Sequence, residues 1–291
     1  MIEALATWLV LRESSDAAAR SERLTRMVAD VLPAGAPASI LDLATGGGSN
    51  IRYLSSRLPS PQRWLAVDQS PVLLTRLRHE MSAWGAARGY AVQTGPTACT
   101  VNGVGLECDV ETHQMDLGEL DEPNIFTGRH LVTASALLDL VSEPWLRVLA
   151  ARCRAARAAA LFTITYDGHF TCSPAEPEDT MVRSLLNEHQ KRDKGLGGPA
   201  QGPDAVACAE RCFVDAGYLV HRESSDWTVG PEQTQMQRML IDGWAEAAAE
   251  VTREGAPVIA DWRARRLAHV DAGRSRAVVG HEDLAALLPE Q

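Results

Sequence analysis

The sequence predicts an α/β protein built on one doubly wound, mostly parallel sheet. Short apolar runs alternate with amphipathic helical patterns from about residue 39 to residue 288, the order expected of parallel strands joined by crossover helices. The first such run ends in the glycine turn "ATGGG", which opens directly into a helical pattern. A chain of 291 residues is long enough for one large sheet domain with insertions, or for two modest domains.

The elements follow in order. Residues 3–31 read as helical, with apolar positions at Leu5, Trp8, Leu9, Leu24, Met27 and Val31, and "PAGAP" (33–37) separates them from a strand at 39–43. Ile51, Leu54 and Leu58 are spaced three and four apart, giving the next helix one buried face. "RWLAVDQS" (63–70) is a strand ending in an acid. The helix after it has Ser70 at the cap, Pro71 in the first turn and Leu74, Leu77, Met81 and Trp84 as its stripe.

Further strands are expected at 110–116, 130–140, 158–167, 218–224 and 275–288, with helices after Ser142 and at 204–218. The stretch 93–105, "QTGPTACTVNGVG", reads as turn-rich. The expected organisation is a pair of N-terminal helices (1–34) and a sheet domain (35–287). Helical inserts at about 169–203 and 231–272 would cover the strand ends.

Composition narrows the function. The chain is 45% hydrophobic and 23% charged, and no run approaches the length of a membrane span, so no membrane association is expected. Its N-terminus carries Glu3 where a signal peptide needs positive charge, which predicts a cytoplasmic protein. A formal charge of −10 argues against nucleic acid as partner, because such binding needs a basic face that displaces counterions. The six cysteines form no C-x-x-C pair and no zinc spacing, so no metal is expected. Cys208 and Cys212, four apart on a predicted helix, read as packing residues.

The glycine turn suggests a nucleotide or nucleoside at the carboxyl ends of the strands. A P-loop would need G-x-x-x-x-G-K-[ST], and no Lys follows these glycines. A dinucleotide fingerprint fits Gly46 and Gly48, but its third glycine falls on Ile51. The pattern D-x-x-x-G-x-G fits, with Asp42, Gly46 and Gly48 in "ILDLATGGG". Here the chain resembles the class I S-adenosylmethionine-dependent methyltransferases, whose first motif reads hhDhGxGxG. Ala44 stands where the first glycine of that motif falls.

The resemblance covers residues 35–168, and more loosely 204–230 and 274–287. It implies a Rossmann-like, seven-stranded sheet with helices on both faces and the helical inserts as a cap. It also implies S-adenosylmethionine as cofactor and S-adenosylhomocysteine as product. That cofactor carries a sulfonium, an amino-acid end, a ribose and an adenine but no phosphate, so carboxylates suit it where they would repel a pyrophosphate. The cofactor set it implies is Asp42, Ala44, Gly46, Gly48, Asp68, Gln69, Met115, Asp116 and Ser135. Asp42 would hold the turn or the ammonium group, and glycines let the backbone pass close to the ligand. Asp68, twenty residues beyond Gly48, would accept from the ribose hydroxyls, and Asp116, with Asp109 as the alternative, would face the adenine. Asp116 could instead cap a turn.

The fourth-strand segment also resembles this family, which implies that Ser135, Ala136 and Leu137 would lie near the cofactor and Asp139 close to the methyl group or acceptor, unless Asp139 caps the following helix. The segment reads "SALL" and lacks the Asn/Asp-Pro-Pro-aromatic turn of enzymes that methylate amino groups of nucleobases or glutamine. No Pro-Cys dipeptide of the cytosine-C5 kind occurs. Both omissions favour a small-molecule acceptor, methylated on oxygen or nitrogen.

Proton handling falls to Asp139, Tyr166 and His169 as candidate catalytic residues, with His113 a further histidine. Arg183, His189, Lys194 and Trp227 are the candidate substrate residues. The inserts are locally basic, with Arg183, Lys191, Arg192 and Lys194 in one and five arginines between 263 and 276 in the other. This suggests an anionic acceptor, the alternative being solvated helix faces. Two other readings stay open: an RNA or protein methyltransferase, and a non-catalytic cofactor-binding partner or regulatory subunit. The sequence admits a homodimer.

Overall fold

Strand pairing sets the frame of a computed structural model that describes residues 2–118, 120 and 122–289. The chain opens with helices α1 (Ile2–Ala19) and α2 (Glu22–Asp30), followed by β1 (Ala38–Leu43), α3 (Ser49–Ser55), β2 (Gln62–Asp68) and α4 (Pro71–Ala86). Three strands come next: β3 (Ala91–Thr94), β4 (Ala98–Gly103) and β5 (Leu106–Gln114). Then follow β6 (Leu131–Ser135), a 3-10 turn (Leu138–Leu140), α5 (Glu143–Ala156), β7 (Ala159–Ser173) and α6 (Asp179–Gln190). The last elements are α7 (Ala205–Asp215), β8 (Leu219–Ser224), β9 (Trp227–Val229), α8 (Thr234–Val251), α9 (Ala256–Asp271) and β10 (Arg276–Leu287).

The strands form one sheet in the order β3-β4-β5-β2-β1-β6-β7-β10-β8, with β9 paired to β10. The run β5-β2-β1-β6-β7 is parallel throughout, and β10 runs antiparallel to both β7 and β8. From β1 the chain builds outward through β2 to β5, then crosses to β6 on the other side of β1. The switch point, where the crossovers diverge and a ligand crevice opens, therefore lies between the carboxyl ends of β1 and β6.

Both faces of the sheet are covered, which is why its central strands are apolar on alternate and intervening positions alike. Leu41 and Leu43 of β1 pack with Phe162, Trp145, Leu149 and Phe213 under α5 and α7. Ile40 faces the other way, with Leu161, Leu24, Leu54 and Leu77 under α2, α3 and α4. A third cluster sits beneath α6, α8 and α9, where Phe170 stacks on Trp244 at 4.1 Å between ring centroids. Burial of each such side chain contributes roughly 1.5–3 kcal/mol.

The sheet departs from the seven expected strands in two ways. β3 and β4 form a hairpin across the stretch read as turn-rich, and β9 adds a short strand. Only Cys99 and Val101 of β4 are buried, so the apolar alternation that marks a strand is nearly missing there. β7 also runs to Ser173, paired with Arg276 of β10, so residues 169–173 extend a strand rather than begin an insert. Among the described residues no helix is long and apolar enough to cross a membrane.

Candidate active site

The glycine turn is held by Asp42 from beneath. Asp42 is fully buried, and its carboxylate accepts from Thr45 Oγ1 at 2.5 Å and Asn50 Nδ2 at 2.6 Å. Burial pushes its pKa up to about 6 against those two bonds. Of the two roles open to it, the geometry gives Asp42 the turn. Asp68 ends β2 and ties the turn to it, since Oδ2 accepts from Gly46 N at 2.9 Å and Oδ1 from Ser70 N at 2.8 Å. Asp68 is also buried, and desolvation raises its pKa.

The glycines meet protein side chains. A Cβ on Gly48 would come within 2.7 Å of Leu77 Cγ, so this glycine lets α4 close on the turn. A Cβ on Gly46 would lie 3.2 Å from Leu9 Cδ1, because α1 crosses the turn. Glu13 of α1 pairs with Arg52 at 2.6 Å, and Arg52 in turn donates to Gly47 O. Ala44 holds a left-handed φ of 50° in the same turn.

Gln69 and Asp116 are exposed, whereas Met115 is buried beside Asp68, its N bonding Asp68 O at 3.1 Å. Asp116 accepts from Gly118 N at 2.9 Å, the turn-capping contact. The glycine-rich loop of the first insert closes over this corner: Leu196 O accepts from Ser142 N, and Gly197 O from Ser142 Oγ. Ser135 ends β6 and accepts from Arg20 Nη2 at 2.9 Å.

Beside the switch point lies a cavity of about 430 Å³. Its floor is formed by Ala136 and Asp139, from the segment that follows β6, and by Ile164 and Tyr166 of β7, while Trp227, Val279 and His281 come from the far edge of the sheet. α1 supplies Trp8 and Arg12, α6 Leu186, His189 and Gln190, and α8 Leu240 and Trp244 among others. Two floor residues are strained: Ala136 and the β-branched Ile164 have φ of 54° and 55°, a combination held only where surroundings over-determine it. For Ile164 that constraint is a bond from its N to buried Asp283 at 2.8 Å.

Asp139 is the chemically distinctive group. It is buried, its Oδ1 has no partner, and desolvation lifts its pKa to about 6 against the pull of Arg12 and Lys194. Tyr166 donates to Asn187 Oδ1 at 3.0 Å, and burial raises its pKa so that it stays a phenol. His281 is held neutral, its pKa pushed down to about 3 by desolvation and by Arg12, with Nδ1 donating to Val279 O at 2.9 Å.

The structure thus brings Asp139, Tyr166, His189 and Trp227 to one cavity. His169 stands outside it, its side chain exposed and turned to Asp167, because its position near the end of β7 points it to solvent. His113 is half-buried opposite Glu122 and does not line the cavity. Arg183 donates to Phe170 O at 3.0 Å and does not line the cavity. Lys194 donates to His189 O, and burial lowers its pKa. Cys208 and Cys212 are buried in α7, and desolvation raises both thiol pKa values.

The basic residues of the inserts largely answer carboxylates. Arg192 pairs with Glu250, Lys191 with Asp204, Arg263 with Asp242, Arg265 with Glu176 and Glu178, and fully buried Arg266 with Asp179. Most of these ties join one insert to the other. Trp8, Arg12, Arg20, Asn50 and His281 were not among the expected site residues. The signal for three of them was present as a period of four: Trp8, Arg12 and Arg20 recur with Asp16 along one stripe that runs from α1 to the residue just past it.

No family model and no curated protein matches this chain. Among solved structures it is similar to a putative methyltransferase from Bacillus halodurans, at 14% identity over 90% of this chain and 96% of that one, with a TM-score of 0.46. It is similar to the YcgJ protein of Bacillus subtilis at 11% identity over 93% and 100%, with a TM-score of 0.44. The cyclopropane synthase MmaA2 of Mycobacterium tuberculosis gives 10% identity over 90% and 82%, with a TM-score of 0.43. Likeness at this level assigns no chemistry, which follows from the chain's own residues.

Proposed function

We propose that the protein is an S-adenosylmethionine-dependent methyltransferase acting on a small molecule held in the cavity floored by β7 and the segment that follows β6. The observation that carries the reading is the placing of that cavity, with an unpartnered buried carboxylate on its floor, beside a switch point whose turn is tied to Asp68 and has no lysine. The groups there suit a phosphate-free nucleoside. When bound, that cofactor would supply an electrophilic methyl group on its sulfonium.

The chain's own residues would do the rest. Asp68 keeps acceptor capacity for a ribose diol after its two backbone bonds. Met115 and Asp116, just beyond the end of β5, would face the adenine. Trp8, Trp227 and Trp244 give the acceptor apolar walls and exclude water, which favours alignment of the reacting atoms. Asp139, with a pKa near 6, would take the proton of a hydroxyl or ammonium acceptor at neutral pH. Pairing of the insert arginines with carboxylates, together with the net charge of −10, supports a small acceptor over RNA.

Calorimetry with S-adenosylmethionine and S-adenosylhomocysteine tests the cofactor. Binding of both is expected, and a folded protein that binds neither sinks the reading. A second reading, a cofactor-binding regulatory subunit, is favoured by the packing of Leu9 on Gly46, which closes the turn. It predicts binding without transfer of a labelled methyl group to any member of a panel of phenols, amines and carboxylic acids.

A further inference from the structure

Trp8, Arg12, Asp16 and Arg20 recur every fourth residue and form one stripe from the cavity to the switch point. Trp8 and Arg12 line the cavity, and Arg12 Nε donates to Asp16 Oδ2 at 2.9 Å. Arg20 lies one residue past α1, its N still bonded to Asp16 O. Its guanidinium reaches the turn and the end of β6, donating to Asn50 Oδ1 at 2.7 Å and Ser135 Oγ at 2.9 Å, over the ring of Tyr53.

Two atoms on this stripe lack what they need. Arg20 is 5% exposed and Asp16 3%, yet Arg20 Nε and Asp16 Oδ1 are buried with no partner. Both hydrogen bonds of the Arg20 guanidinium go to neutral oxygens. The other nearby acids are committed: Asp42 to Thr45 and Asn50, and Asp283 to the backbone N of Ser21 and Ile164. A buried charge with an unmet hydrogen bond is costly unless something completes it. What completes a guanidinium and a carboxylate one helical turn apart is a zwitterion.

We propose that Arg20 binds the α-carboxylate and Asp16 the α-ammonium of the cofactor's amino-acid end. This rests on the methyltransferase reading and adds to it two binding residues from α1, outside the glycine turn. It also gives the stripe a purpose: α1 and the residue just past it cover the turn because they carry the contacts to the ligand's amino-acid end.

The test is calorimetry on the full chain and its Arg20→Gln, Arg20→Lys and Asp16→Asn variants with three ligands. S-adenosylhomocysteine has the whole amino-acid end, decarboxylated S-adenosylmethionine keeps only the amine, and 5′-methylthioadenosine has neither. The wild type should bind S-adenosylhomocysteine at least about tenfold more tightly than 5′-methylthioadenosine. Arg20→Gln should lose most of that advantage while leaving the other two ligands within about threefold. Asp16→Asn should weaken the decarboxylated ligand and S-adenosylhomocysteine together, and Arg20→Lys should recover part of the loss.

Equal wild-type affinity for S-adenosylhomocysteine and 5′-methylthioadenosine would overturn the proposal, even if no variant folds. So would a folded Arg20→Gln that weakens all three ligands alike, which is the mark of a purely structural arginine. Failure of the folded wild type to bind any of the three overturns the cofactor reading itself, and this proposal with it.

Discussion

Leu9 of α1 rests on Gly46 of the glycine turn, so close that a Cβ at position 46 would come within 3.2 Å of Leu9 Cδ1. The helix therefore covers the turn that the cofactor reading needs, and α1 must yield for a nucleoside to reach it. Leu9→Ala should raise the association rate of S-adenosylhomocysteine by about two- to tenfold in stopped-flow tryptophan fluorescence. An unchanged rate would place the entry route elsewhere. Gly46→Ala should act the other way and cost stability of about 1 kcal/mol, because position 46 also has φ of 54°.

Asp68 joins β2 to the turn through Gly46 N and to the start of α4 through Ser70 N. Asn at this position keeps one carbonyl acceptor and replaces the other with a donor, which a ribose diol cannot use as it uses a carboxylate. Asp68→Asn should weaken S-adenosylhomocysteine by about 10- to 100-fold while lowering Tm by only a few degrees. Equal affinity in calorimetry would remove Asp68 from the cofactor site.

Asp139 links activity and stability to pH in opposite senses. As a base it works ionised, so kcat/KM should rise as pH passes through about 6, and Asp139→Asn should cost about 10²- to 10⁴-fold. Its folded pKa lies above its unfolded value of 3.8, so the fold favours the protonated form. That stabilisation is complete below the unfolded value and is lost as pH rises through the folded one. Asp139→Asn should therefore stabilise the protein at pH 8 by up to about 3 kcal/mol and give no gain at pH 3.5. Urea unfolding at the two pH values measures this, and the contribution of Asp42, whose pKa is also raised to about 6, stays in both proteins.

How much of this was legible in the sequence depended on how local the cause was. β1, β2, β6 and β7 were readable because burial on both faces makes them continuous apolar runs, and Ser70 and Ser142 marked helix starts by their caps. β3 and β4 were not, since an edge hairpin with few buried side chains lacks that signal. Asp139 and Tyr166 could be placed near one another by their position after β6 and within β7. The exposure of His169 could not be read, because it depends on which way a long strand faces beyond the sheet's centre. Nor could the pairing of Arg266 with Asp179, 87 residues apart. Charge density along the chain suggested an anion site, whereas in three dimensions the same charges mostly cross-link the inserts.

Ala44 shows how a departure from a motif acts. It occupies the first glycine position of the pattern and adopts φ of 50°, a conformation that costs an L-residue roughly 1–2 kcal/mol and glycine almost nothing. Ala44→Gly would relieve that strain, offset by about 0.4–1 kcal/mol from the greater freedom of glycine in the unfolded chain. The Cβ also packs partly against the core beneath α5 and α7, which adds a small loss. The balance predicts a change in stability between zero and about +1 kcal/mol by urea unfolding, with S-adenosylhomocysteine affinity within about twofold of the wild type. A loss above 1 kcal/mol would mean that the methyl group's packing outweighs its strain. A large gain in affinity would mean that the alanine narrows the ligand's approach to the backbone.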